Sequence, residues 1–344
     1  MTGAVLVVGP AASQNSSVAN RDCSELTESF AGYPLSCLEI LGSSVLVRMV
    51  ERLREAEISP ITQVAVESFL GTLGGPDNSV ETCLVSDPGQ LWNFARTTIS
   101  EYFQRGVEQV VLARLGAHVE FDLTDLLRFH DECGRGICRA YDDEGPLDLW
   151  IIGHERAKAL ESSGPPEWNS FAVYPYRRCM YVNRLRNLRE LRTLVVDCLY
   201  SRCSLRPKGT EVRPGVWFDD QAHVDREARV VAPAYIGRRA KVQAAALITR
   251  SSSLERDCEV GEATVVEEAS ILADTYLGRW LDVSNAVVDG NRFVDLRNQV
   301  TVEIADGALV GRAGSSEARI LSPDGEHFRF VKRLSGRMKK VFLH

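Results

Sequence analysis

Apolar side chains follow two different rules along this chain. From Val224 onward, aliphatic residues recur every six positions: Val224, Val230, Ile236, Val242, Ile248, Leu254, Val260, Val266 and Leu272. Four residues after each of the first eight stands a small one: Ala228, Ala234, Ala240, Ala246, Ser252, Cys258, Thr264 and Ser270. A period of six fits neither the 3.6 of a helix nor the alternation of a strand. It is the spacing of a fixed-period solenoid of about three coils over Val216–Val283. In such a coil the large aliphatic fills the core on each side, and the small residue lets the chain bend. One turn cannot bury its own apolar face, so neighbouring turns stabilise each other. Beyond Leu272, Leu277 and Val283 keep the spacing one residue out of phase, and a loop near Ala273–Tyr276 would absorb the slip.

Upstream, the pattern switches between short apolar runs and helical stripes. Ala4–Val8, Gln63–Val66, Gln109–Ala113, Gly136–Tyr141 and Leu147–Ile152 read as strands. Ser44–Ala56, Pro88–Arg105 with Trp92 and Phe94 inward, Leu123–His130, His154–Glu161 and Asn183–Arg202 read as helices. Strands alternating with helices predict a mostly parallel, doubly wound α/β sheet. A Pro-bearing connection, Leu205–Gly215, then marks a boundary. The expected organisation is an α/β domain over 1–210, the six-residue repeat over 211–296, and a C-terminal hairpin and basic tail over 297–344. The hairpin is expected from Val300–Ile304 and Ala308–Val310, which flank an Ala-Asp-Gly turn.

A chain of 344 residues has room for about two domains. The net charge of −7 disfavours general nucleic-acid binding. No apolar run reaches the roughly 18 residues of a membrane span, and the first residues lack the basic start of a signal peptide. A cytoplasmic location is the expectation. Two of the nine cysteine spacings are C-x4-C, Cys133/Cys138 and Cys198/Cys203. Structural zinc generally uses tighter pairs with further ligands, so these read as reduced, buried thiols. There are 34 arginines and six lysines, and only Lys158 precedes Lys208. Lysine-dependent chemistry in the first 207 residues therefore has one candidate.

An α/β region running into this repeat resembles the sugar-nucleotide pyrophosphorylases, such as mannose-1-phosphate guanylyltransferases and glucose-1-phosphate adenylyltransferases. The segments that carry the resemblance are AVLVVG, PLSCLEILGSSVLVRMVERLREA, FDLTDLLRFHDECG and DTYLGRWLDVSNAVVDGN. Together with the repeat they span about nine-tenths of the chain, all but the tail. The resemblance implies a nucleotidyltransferase-like (GT-A-like) α/β domain followed by a left-handed parallel β-helix. It also implies a nucleotide or sugar nucleotide as ligand, Mg²⁺ where the protein is active, and a homo-oligomer.

Nucleotidyl transfer needs a sugar phosphate to attack the α-phosphate of a nucleoside triphosphate, with positive charge offsetting the growing negative charge. The family supplies a G-x-G-T-R-type loop, a lysine in P-K-P, an aspartate after the N-G strand end, and a later E-K-P lysine. Here the loop reads Gly9-Pro10-Ala11-Ala12-Ser13, the proline segment Gly32-Tyr33-Pro34-Leu35, and the strand end Leu115-Gly116-Ala117. The nearest E-x-P is Glu144-Gly145-Pro146. By position, the candidate nucleotide or sugar contacts are Gly9, Pro10, Ala11, Ser13, Gly116 and Asp122. No catalytic residue and no metal ligand is assigned. Asp122 could reach a metal, but its plain reading is a carboxylate at a helix N-terminus. The run Asp142-Asp143-Glu144 reads as a solvated turn, Lys158 as a surface lysine, and His223 as a cap of the repeat rather than an acyltransferase base. The basic tail from Phe328 is a candidate contact for an anionic membrane surface.

Three functions follow from these readings. The first is a pyrophosphorylase-like protein with a degraded site, serving as a ligand-binding, regulatory or assembly subunit in polysaccharide or sugar-nucleotide metabolism. The second is an active sugar-1-phosphate nucleotidyltransferase with an atypical site. The third is a hexapeptide-repeat acyltransferase. Fold cannot choose among them, because function resides in the site.

Overall fold

A computed structural model of the chain describes residues 1–9, 35–68, 80–156 and 173–314. The chain divides into two compact units, Met1–Leu38 with Ser44–Asn187, and Glu39–Ser43 with Leu188–His344.

The first unit is built on a seven-stranded mixed sheet. Its strands are β1 (Thr2–Val8), β2 (Ile61–Val66), β3 (Glu81–Val85), β4 (Gln109–Arg114), β5 (Ile137–Asp142), β6 (Gly145–Gly153) and β7 (Val173–Tyr176). They lie in the order β7-β5-β6-β4-β1-β2-β3. β1 pairs in parallel with both β2 and β4. The expectation of a mostly parallel sheet needs one correction: β6 runs antiparallel to both β4 and β5. The turn between β5 and β6 is too short for a crossover, so the two strands form a hairpin.

Alternation along β1 sets which helix covers which face. Ala4, Leu6 and Val8 share a core with Leu46, Met49 and Leu53 of helix α1 (Val45–Glu55) and with Leu126 of α3 (Leu123–Glu132). Val5 and Val7 pack on the other face with Leu91, Ala95, Ile99 and Phe103 of α2 (Leu91–Gln104). Ser44 caps α1, its hydroxyl accepting the Val47 amide at 3.2 Å. Phe94 was expected inward on α2 but is 43% exposed, because the buried stripe runs through Leu91, Ala95 and Ile99.

The second unit consists largely of short parallel strands in three ladders. Residue 223 faces 241, 229 faces 247 and 234 faces 252, so the chain returns to each ladder after 18 residues. Ile236, Val242, Ile248, Leu254, Val260 and Val266 from all three ladders meet in one buried cluster. This arrangement is compatible with a β-helix. The phase slip lies earlier than Ala273–Tyr276. Thr249 still faces Glu267, but Leu254 faces Ile271 rather than Leu272, so Ile271 enters the core. The cause is the bend itself. Arg250 and Ser251 both have left-handed backbone, whereas the next bend has only Glu268 there and is one residue shorter.

Helix α4 (Leu188–Leu199) also belongs to this unit, and Arg192 on it donates to the carbonyl of Glu268 at 3.3 Å. The helix begins later than the expected Asn183, because Tyr181–Asn183 pairs as a strand with His118–Glu120 and Leu185 takes left-handed backbone. Residues 39–43 are tied in by Glu255, a buried carboxylate that accepts the Leu41 amide at 2.8 Å and the Gly42 amide at 2.9 Å. Gly42 has φ +85°, and a Cβ there would stand 2.3 Å from the Tyr235 hydroxyl. The expected hairpin between Val300–Ile304 and Ala308–Val310 does not form. Val300–Glu303 pairs with Arg292–Asp295, and Val310–Arg312 pairs with Thr275–Leu277 in another ladder. Among the described residues no helix is long and apolar enough to cross a membrane.

Candidate ligand site at the carboxyl ends of the central strands

In an open α/β sheet, ligands bind outside the carboxyl ends of the strands, where the order of connections reverses. Here the reversal lies between β1 and β4: β2 and β3 follow on one side of β1, and the chain then returns to place β4 on the other. Val7 faces Arg114 across these strands, and the Leu115 amide donates to the Val7 carbonyl at 2.9 Å. The register therefore brings Gly9 and Gly116, distant in sequence, to neighbouring strand ends.

The two glycines differ physically. A Cβ on Gly9 would fall 2.3 Å from the Cδ1 of Leu91, where α2 begins. Gly116 is exposed, and a Cβ there would meet nothing within 4 Å. Packing thus demands glycine at position 9 but not at 116. Pro10, Ala11 and Ser13 lie outside the described residues, as do Lys158 and the basic tail. Asp122 caps α3, its carboxylate accepting the Asp125 amide at 3.1 Å. Just past Gly116, His118 Nε2 and Glu120 Oε1 lie 3.1 Å apart, both side chains buried. Arg52 pins this segment by donating to the Val119 and Phe121 carbonyls at 2.9 and 2.7 Å.

The sequence reading missed a charged group at the same strand ends. Val110 and Leu112 face α2, so by alternation Arg114 does too. It lies 3.6 Å from Asp148 on β6. Arg139 approaches the same carboxylate at 3.2 Å and donates to the Leu147 carbonyl at 2.8 Å. Its guanidinium stacks 4.9 Å above the ring of Trp150, which meets Trp92 of α2 edge to face at 6.0 Å. The available signal was a charged residue closing an apolar strand, QVVLAR, and an acidic one inside LDLWII.

Asp142 at the end of β5 accepts a two-pronged contact from Arg184 and the amides of Glu144 and Gly145. Burial alone would raise its carboxyl. Arg184 and the two amides outweigh burial and hold it below the usual carboxylate range. His223 is exposed on the first rung of the repeat, where its amide donates to the Ala240 carbonyl. Cys138 is no nucleophile at neutral pH, since burial pushes its thiol up to about 12. An open depression of about 300 Å³, lined by residues including Phe103, Glu108, Arg135 and His154, lies at the amino end of β4, away from Gly116.

The side chains at the strand ends do not fit a Mg²⁺ ion, which asks for one or two available carboxylates beside the substrate phosphates. Leu115-Gly116-Ala117 offers none. Asp148 sits between two guanidinium groups, Glu120 engages His118, and Asp122 holds a helix amide. Among the described residues no three His, Cys, Asp or Glu converge as a metal site.

No protein-family model matches this chain, and no curated protein matches its sequence.

Proposed function

We propose that this protein is a sugar-nucleotide pyrophosphorylase-like subunit that binds a nucleotide or sugar nucleotide without nucleotidyl transfer. In this reading the repeat is a left-handed β-helix. The protein acts as a cytoplasmic homo-oligomer, as a ligand-binding, regulatory or assembly component of polysaccharide or sugar-nucleotide metabolism. One observation carries it: Gly9 and Gly116 meet at the reversal point of a mixed α/β sheet, with Ala117 following where metal-assisted transfer needs a carboxylate. Loss of one preorganised charge from such a site costs about 10²–10³ in rate.

Two assays test this. Thermal shift against nucleoside triphosphates, hexose 1-phosphates and sugar nucleotides is expected to find a stabilising ligand. Pyrophosphate release with Mg²⁺ and the same substrates is expected to stay at background. Robust turnover, abolished by a substitution in the first unit, would overturn this reading in favour of an active transferase. Light scattering tests the oligomer, and a monomer across a wide concentration range would refute it.

A further inference from the structure

A site without available carboxylates can still bind phosphate if arginine provides the charge. The following rests on the ligand-binding reading above and specifies what the site recognises. We infer that Arg114 receives the phosphoryl anion of a nucleoside diphosphate moiety directly, with no divalent cation between them.

Position is the first ground. Arg114 closes β4 at the reversal point, beside Val7 and next to the strand ends that carry Gly9 and Gly116. Chemistry is the second. A guanidinium is planar, stays charged, and presents paired donors that match phosphate oxygens. The third ground is the unequal anchoring of the two arginines around Asp148. Arg139 is fixed by a hydrogen bond to the Leu147 carbonyl, a 3.2 Å contact to Asp148 and the indole of Trp150 beneath it. Arg114 meets Asp148 at 3.6 Å, beyond good hydrogen-bond distance. Arg139 is therefore the scaffold, and Arg114 is the group positioned to turn toward an anion. The charges of Arg114, Arg139 and Asp148 sum to +1. All three are sheltered, with side-chain exposures of 17%, 11% and 39%, so salt screens an incoming phosphate less than it would on an open surface. Asp148 then has a definite role: it orients Arg114 while no ligand is bound and competes with the anion for it.

The test uses the full chain in EDTA, titrated with ADP, GDP, UDP and inorganic pyrophosphate. Calorimetry and the fluorescence of Trp92 and Trp150 report binding. At least one nucleoside diphosphate is expected to bind without Mg²⁺, and more tightly than pyrophosphate. Arg114→Gln is expected to weaken it about tenfold or more, the loss typical of a charge-assisted contact. Asp148→Asn is expected to tighten it severalfold, because a competing carboxylate is gone. Arg105→Gln, at the far end of α2, is the control and should change nothing. Full-strength binding by Arg114→Gln would overturn the inference and leave the ligand-binding reading standing. A requirement for Mg²⁺ would overturn it, as would pyrophosphate binding as tightly as every nucleotide. Should Arg114→Gln fail to fold, Asp148→Asn decides, since unchanged or weaker binding by it contradicts competition. Absence of any binding sinks both this inference and the ligand-binding reading. Turnover in the pyrophosphate assay sinks only the non-catalytic part of the proposed function.

Discussion

In the second unit, residue 236 faces 254 and residue 242 faces 260 on adjoining strands. In the first unit, Val5 faces Thr62 on one side and Leu112 on the other. Both arrangements bury aliphatic side chains on parallel strands. They differ in how far along the chain the partner lies. In the repeat the distance is nearly constant, so each side chain's environment recurs in the sequence as a period. In the sheet the distance depends on intervening helices and loops, and the pairing leaves no periodic trace. Errors in the two units should therefore have different consequences. A wrong residue in the repeat core is felt by the rungs on both sides, whereas changes at strand ends and helix caps of the sheet are absorbed locally.

The largest effect should come from Ile236→Asp. Ile236 is fully buried between Phe218 and Leu254 on neighbouring rungs. An unpaired carboxylate there should cost about 4 kcal/mol or more, read by denaturant unfolding. Wild-type melting would mean that this register is wrong. Next is Glu255→Ala, which leaves the Leu41 and Gly42 amides without their carboxylate and should cost about 2–4 kcal/mol. That variant asks how firmly residues 39–43 belong to the repeat, and exchange protection of those two amides gives a direct readout. In the first unit, Ser44→Ala removes the cap of α1 and should cost only about 1 kcal/mol in thermal unfolding. A loss as large as that of Ile236→Asp would erase the contrast between the units.

The smallest effect depends on pH. The Asp142 carboxyl is held below its unfolded value, so its contact with Arg184 contributes stability above about pH 4. That contribution disappears as pH falls through the lower folded value. Arg184→Gln should therefore lower the melting temperature slightly at pH 7, by about 1 kcal/mol or less in stability. The gap to wild type should close in acid. A gap that persists unchanged at pH 2 would show that packing, not charge, is at work.

How much could be read in advance follows the same division. The six-residue pattern located the core of the repeat from Ile236 to Val266 residue by residue. It misplaced the slip, because whether a bend takes one left-handed residue or two is a backbone matter with no hydrophobic signature. In the first unit, the strands and helices were legible from their apolar stripes, but the antiparallel β6 was not. The alternation in LDLWII looks the same whichever way the strand runs. Asn183 was read as helical because leucines continue past it at helical spacing, whereas its pairing with His118 comes from a distant segment. At the candidate site, Gly9 and Gly116 were marked by sequence. Arg114, Arg139 and Asp148 were not, since one arginine among 34 carries no distinguishing mark.

Residue order alone is enough to say that a solenoid-like repeat follows an α/β region, because those patterns arise from contacts whose spacing recurs along the chain. It is also enough to say that Ala117 leaves no carboxylate after the strand end, since that concerns the presence of a chemical group and not its location. Only the fold decides that Gly9 lies beside Gly116, that residues 39–43 join the repeat through Glu255, and that two arginines from different strands share Asp148. Those groupings depend on which strands become neighbours. Neighbours in a sheet are selected by packing over the whole unit, which no local stretch of sequence encodes.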